Sequence, residues 1–296
     1  MTTAIEVISR GLGTGSIYAL IALGFVIIYR ATRVISFAQP ALMLAGAVLV
    51  TYLVGPLGFY AAVVVGALGT ALLAMVAERV AVRPMIGRPV FTIAIITIGL
   101  DVVIRVIAIA FIGTDLPQVG DPWGLKTVDV FGATLEQRHV AMVVITAALV
   151  AALFGFLRYT RIGLAMRAAS FDQEAAMAQG VSVGAVFAVS WAIAGGLAAI
   201  GGVFSASGGA GVAGTMWIIA LVALPVIILG GLDSLPGALI AGLFVGVVQS
   251  TVAHFQQYFP SWVGGNVAAI SPYVLMMIAL LVRPYGFFGT REVERV

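Results

Sequence analysis

Long apolar runs, interrupted at short intervals by arginines, set the pattern of this chain. No Asp, Glu, Lys or Arg occurs from Val34 to Ala77, from Ala175 to Leu232 or from Ser234 to Val282. A helix needs about 20 apolar residues to cross the hydrocarbon core of a bilayer, so each run is long enough for two crossings. Helix-length segments fall at 11–29, 37–54, 59–77, 90–112, 139–157, 184–206, 214–230, 236–254 and 267–282. The pattern predicts an all-α polytopic integral membrane protein with eight or nine spans, in one membrane-embedded unit over residues 1–296. The second segment carries Pro40 near its start and the seventh carries Pro225. Either is expected to be broken or re-entrant, which requires protein or a water-filled cavity to cover its free backbone groups.

Composition strengthens the membrane reading. Hydrophobic residues make up 62% of the chain and charged residues 9%, against roughly 25% charged in soluble domains. Basic residues cluster in alternate loops. Arg30, Arg33, Arg79, Arg83, Arg88, Arg158, Arg161, Arg167, Arg283, Arg291 and Arg295 fall on one side of an alternating topology; Arg10, Lys126 and Arg138 fall on the other. The positive-inside rule makes the first side cytoplasmic, the N-terminus external and the C-terminus internal. The first apolar run reads as a retained span rather than a cleaved signal. The basic pI of 9.4 is explained by these loops and does not call for nucleic acid. The external side then has one sizeable loop, 113–138, with Asp115, Asp121, Trp123, Asp129 and Glu136. It is either a solvated loop or a docking surface.

Chemistry is sparse. Without cysteine, disulfides and thiolate sites are excluded. His139 and His254 lie far apart and read as interfacial polar residues, so no metal cluster is expected. No G-x-x-x-x-G-K-[ST] loop and no nucleophile–base set occurs, so neither ATP hydrolysis nor another catalytic function is expected of this chain. Asp101 and Arg105 stand four apart on one span, where they share a face. Charges at that depth face protein or water. They form either a structural ion pair or part of a solute path or gate. Gly11/Gly15 and Gly242/Gly246, with Ala194, Ala198 and Gly202, have the small-residue spacing of close helix packing, and the four Trp read as interface anchors or packing aromatics rather than a ligand site.

The segment 158–183, RYTRIGLAMRAASFDQEAAMAQGVSV, is the longest of the arginine-side loops. Its Ala, Met, Gln and Glu favour helix, and Gly163 and Gly180 bracket the helical stretch. Asp172 and Glu174 are set against Arg161 and Arg167. A short amphipathic helix at the membrane surface is expected, suited to transmit motion from a soluble partner; a plain connecting loop is the alternative.

Four segments, in order, resemble the permease subunits of branched-chain amino-acid ABC importers: Gly15–Ala47 (GSIYALIALGFVIIYRATRVISFAQPALMLAGA), Thr160–Val181, Gly230–Ser250 (GGLDSLPGALIAGLFVGVVQS) and Leu281–Gly289 (LVRPYGFFG). The resemblance implies a single transmembrane permease domain in a bacterial cytoplasmic membrane. It implies a second permease subunit, two ATP-binding subunits that use ATP and Mg, and an extracytoplasmic solute-binding protein. No cofactor is expected on this chain. By the same resemblance Gly163, Arg167, Ala168, Asp172, Glu174, Ala175 and Gly180 form the segment that seats in the ATPase. Ser36, Phe37, Ala38 and Gln39 form a polar break along the solute path, with Asp101 and Arg105 as further candidates. Leu164 stands where the family commonly has a basic residue, and Pro40 where it commonly has glycine. A urea or short-amide importer, a stand-alone secondary carrier and an intramembrane enzyme are the rival readings.

Overall fold

The computed structural model describes residues 2–85, 88–113, 116–130, 132–259 and 266–290. The first helix, α1 (Thr2–Thr32), is followed by α2 (Gln39–Leu57), α3 (Phe59–Ala77) and α4 (Val90–Ile112). A hairpin of β1 (Thr127–Val130) and β2 (Ala133–Glu136) precedes α5 (Gln137–Tyr159). Two short helices, α6 (Arg161–Phe171) and α7 (Gln173–Ala178), lead into α8 (Val183–Ala206). The chain ends through α9 (Trp217–Leu221), α10 (Ala223–Gly230), α11 (Leu235–Phe255) and α12 (Val267–Val282). Among the described residues, α1 to α5, α8 and α11 are long and apolar enough to cross a bilayer, and Trp217–Gly230 and Val267–Val282 are shorter apolar helical segments. All nine expected segments fall on helix, and the protein is an all-α polytopic membrane protein.

The helices run between two ends. One holds the hairpin and the starts of α1, α3, α5 and α12. The other, the arginine-rich end, holds Arg30, Arg33, Arg83, Arg158 and Arg161 with α6 and α7. Arg291, Arg295 and Asp115 lie outside the described residues. Helix α1 is longer than the expected 11–29. Its first turns extend past the apolar stretch because Glu6 and Arg10 find partners on the hairpin: Thr134 N donates to Glu6 Oε1 at 3.1 Å, and Arg10 lies 3.5 Å from Glu136.

Helix α1 sits in the core and packs against α5, α8, α10 and α11. The two glycine motifs meet there. A Cβ at Gly246 would lie 2.3 Å from the Gly15 nitrogen, so α1 and α11 touch backbone to backbone, as small-residue spacing allows. On the other side of α8, a Cβ at Gly202 would lie 2.4 Å from the Met43 carbonyl of α2, and one at Gly195 would lie 2.8 Å from the Thr70 carbonyl of α3.

The seventh segment is broken, as its proline predicts. The Pro225 ring crowds the carbonyl four residues back and supplies no N–H, and α9 stops at Leu221. Two expectations are corrected. The segment between Gly163 and Gly180 is two helices, not one. Asp172 breaks it by capping α7, its Oδ1 accepting from Glu174 N at 2.9 Å and Ala175 N at 3.0 Å. With Asp172 so engaged, neither it nor Glu174 forms an ion pair with Arg161 or Arg167 among the described residues. His139 lies in the first turn of α5, buried against Gly13, with Nδ1 3.7 Å from Glu136.

Candidate functional site

The second segment begins halfway through the bundle. Asp101 lies eleven residues from either end of α4 (101 − 90 and 112 − 101), about 17 Å from each at helical rise. Its Oδ1 accepts from Ala41 N at 3.1 Å, which fixes the first turn of α2 at that depth. From the end of α1 at Thr32, residues 33–38 therefore climb back towards the middle without helix. Backbone in that position must be satisfied by protein, and neighbouring side chains and the first turn of α2 supply partners. Phe37 N donates to Thr97 Oγ1 at 3.0 Å, Ala38 N to Ser36 Oγ at 3.4 Å, and Leu42 N to the Ala38 carbonyl at 3.1 Å. Pro40 occupies the first turn, where a missing N–H costs nothing.

The start of α2 carries the positive end of a helix dipole into a low-dielectric region. Asp101 answers it with a carboxylate and pairs in turn with Arg105 at 3.1 Å. The Arg105 guanidinium lies 4.2 Å from the centre of the Trp217 ring, a cation–π contact. One chain of contacts thus ties α2, α4 and the broken α9–α10 segment together. The structure brings Ser36, Phe37, Gln39, Asp101 and Arg105 into this one region.

Gln39 is the exception to its tidiness. Its side chain is fully buried, yet neither amide atom has a hydrogen-bond partner. It abuts Gly24 of α1, where a Cβ would lie 3.0 Å from Nε2 and 3.3 Å from the Ala194 carbonyl of α8. A buried unpaired amide costs about 1–3 kcal/mol.

The other sequence-predicted residues gather separately, at the arginine-rich end. Gly163 lies in α6 where a Cβ would meet the Phe156 carbonyl at 2.5 Å, so only glycine permits this crossing of α5. Thr160 caps α6, accepting from Gly163 N at 2.9 Å. Arg167 is half-buried, with Nη2 3.4 Å from the Arg158 carbonyl. The Ala168 carbonyl accepts from Asp172 N. Gly180 takes the left-handed φ of +83° that ends α7. Asp172, Glu174 and Ala175 are exposed, and around them Leu164, Phe171 and Met177 present an apolar surface, Phe171 being 87% exposed.

This helix pair is fastened to α1 by bonds that sequence reasoning missed. Arg33 Nη2 donates to the Ser170 carbonyl at 2.7 Å, Arg30 Nη2 lies 3.4 Å from Ser170 Oγ, and Gln173 Nε2 donates to the Ala31 carbonyl at 2.8 Å. Arg33 holds φ at +57°, the left-handed region, without being glycine, a strain of roughly 1–2 kcal/mol. Thr97 and Trp217 were also missed. Their partners are more than fifty residues away along the chain, and no local spacing signals them.

Comparison with known proteins follows the same lines. The sequence model of a family described as "Branched-chain amino acid transport system / permease component" matches residues 7–282. The high-affinity branched-chain amino acid transport system permease protein LivH of Salmonella typhimurium is 27% identical, over 97% of this chain and 96% of its own. The corresponding permease protein BraD of Pseudomonas aeruginosa is also 27% identical, with the same coverage. Among solved structures, PsaBC from Streptococcus pneumoniae in complex with Fab is similar at a TM-score of 0.52 and 16% identity, covering 93% of this chain and 91% of that one. At that identity the likeness shows the fold alone.

Proposed function

The chain belongs to the family of branched-chain amino acid transport system permease components, and from that premise we propose that it is the membrane-spanning permease subunit of an ATP-driven importer for branched-chain or related small amino acids. In this reading the arginine-rich end is cytoplasmic and the hairpin end external, as the positive-inside rule requires, in a bacterial cytoplasmic membrane. Two partner subunits bind and hydrolyse ATP with Mg; the chain itself is not an enzyme and binds no cofactor. A second permease subunit completes the path, and a solute-binding protein docks on the external loop 113–138.

One observation carries the reading beyond family: an exposed helix pair at the cytoplasmic end is bonded directly to the strained turn that leads into the mid-depth start of α2. A partner that seats on Phe171, Asp172 and Glu174 moves Ser170 and Gln173 with them, and so moves Ala31 and Arg33. Six and eight residues beyond Arg33, the unpaired Gln39 amide and the Ala41–Asp101 bond receive that displacement. Gln39 is then poised to find a partner in the other conformer of an alternating-access cycle. A partner shifts such an equilibrium only by binding one conformer better than the other, and an ATPase that changes shape on nucleotide binding meets that condition. Leu164, exposed and apolar on the docking face, makes that contact less charged at this point.

Uptake into vesicles holding the purified complex, measured with leucine, isoleucine, valine and urea, tests the proposal. ATP-dependent uptake of the branched-chain amino acids supports it. Uptake of urea alone contradicts the solute, and uptake by this chain without ATPase subunits contradicts the mechanism.

A further inference from the structure

The external half of α1 carries a row of polar residues along one face. Glu6, Arg10, Thr14 and Tyr18 recur at four-residue spacing, and Gln249 and His254 of α11 stand opposite. Together with α12 they line a cavity of about 470 Å³, within the range of sites that hold small ligands. Thr14 and Tyr18 lie within the apolar stretch, where polar groups are costly unless water or protein meets them, and Glu6 and Arg10 lie past it at the external end. The cavity has a floor. Tyr18 donates its hydroxyl to Gln249 Oε1 across it, and alongside it α1 and α11 touch backbone to backbone at Gly11, Gly15 and Gly246.

We propose that this chamber receives the solute, and that its lining selects a zwitterionic amino acid over a cation or a neutral amide. The inference rests on the importer reading above and adds the place and the charge class. Its mouth offers both signs on adjacent turns. Glu6 is half-buried and accepts one backbone N–H from the hairpin, and Arg10 is two-thirds exposed with a single 3.5 Å contact to Glu136. Each has valences left for a ligand: Arg10 for a carboxylate, Glu6 for an ammonium. A solute with net charge would meet one attractive and one repulsive group. A neutral amide would leave both without an ionic partner. The Tyr18–Gln249 bond keeps the solute from going deeper until the two helices or α12 shift.

The chain has no cysteine, so a single introduced thiol is the only one it carries, and its labelling is read on this chain after the subunits are separated. Thr14→Cys, and separately Ala253→Cys on the facing wall, are placed in the complex as purified from membranes and reconstituted in vesicles. Each is treated with a membrane-impermeant methanethiosulfonate from the external side. Both thiols should react, and L-leucine at about ten times its Kd should slow the reaction by roughly tenfold, as simple occupancy dictates. L-lysine and urea should not protect. If the thiols are unreactive, or react at a rate indifferent to leucine, while the same vesicles take up leucine, the chamber is not the receiving site and a second subunit or lipid covers this face. Equal protection by lysine overturns the charge assignment. Failure of the unsubstituted complex to take up leucine at all would count against the importer reading instead.

Discussion

Replacing Asp101 with alanine removes two things at once. The Ala41 N–H loses its acceptor at the start of α2, and Arg105 loses its partner at mid-depth. Loss of a helix-capping acceptor costs about 1 kcal/mol. Removal of one member of a buried ion pair costs about 3–5 kcal/mol, because the survivor is left uncompensated. Arg105 retains the Trp217 ring and a fifth of its side-chain exposure, which places the expected total near the lower end, about 3–4 kcal/mol. Asp101→Asn keeps an acceptor for Ala41 and should cost roughly 1 kcal/mol less. Adding Arg105→Gln to Asp101→Asn should recover part of the loss, with a coupling of about 0.5–3 kcal/mol. Thermal unfolding of the purified chain in detergent, read by intrinsic fluorescence, ranks the three variants, and leucine uptake is measured alongside. An Asp101→Ala chain as stable as the parent would refute the capping argument. An Asp101→Asn chain that is stable and assembled but transports nothing would show that the carboxylate acts in the solute path rather than as a fastener.

Further expectations concern single contacts. Gln39→Leu removes a buried amide without partners and should raise the melting temperature, by about 1–3 kcal/mol of stability, while slowing uptake if the amide is needed in the other conformer. Arg33→Gly relieves the left-handed strain and Arg33→Ala does not, yet both lose the bond to Ser170; equal loss of ATP-dependent uptake in the two, with higher thermal stability for glycine, identifies the guanidinium as the working part. Gly246→Val would drive a side chain into the Gly15 backbone and should abolish accumulation of folded protein in membranes, whereas Gly55→Val, with open space around it, should leave accumulation and uptake unchanged.

Much of this molecule is legible in its sequence because bilayer physics leaves few choices. Charge-free runs must be helices, and the positions of all nine could be read from their length. Pro225 announced the break in the seventh segment, and Pro40 with Ser36–Gln39 announced the irregular start of the second. The spacing of Asp101 and Arg105 gave their pairing, but not their third partner. The Ala41 N–H and the Trp217 ring come from segments sixty and more than a hundred residues away, and only the packed bundle brings them in. The same holds for the Arg33–Ser170 bond. Local composition predicted one amphipathic helix at 163–180 because propensity cannot weigh the strong cap that Asp172 offers to the two N–H groups ahead of it. The polar stripe of α1 was visible as a four-residue repeat in the sequence. It gained meaning only once α11 placed Gln249 and His254 across from it.

The central claim is that α6 and α7 are the surface on which ATPase subunits act. Glu174→Cys, exposed on that surface and the sole thiol of the chain, can be joined by a short bifunctional reagent to whatever lies against it in native membranes, and the product identified by mass. The account predicts a cross-link to an ATP-binding subunit whose yield changes when nucleotide is added. A thiol that couples to no ATP-binding subunit, or that reacts only from the external face of sealed vesicles, would contradict it.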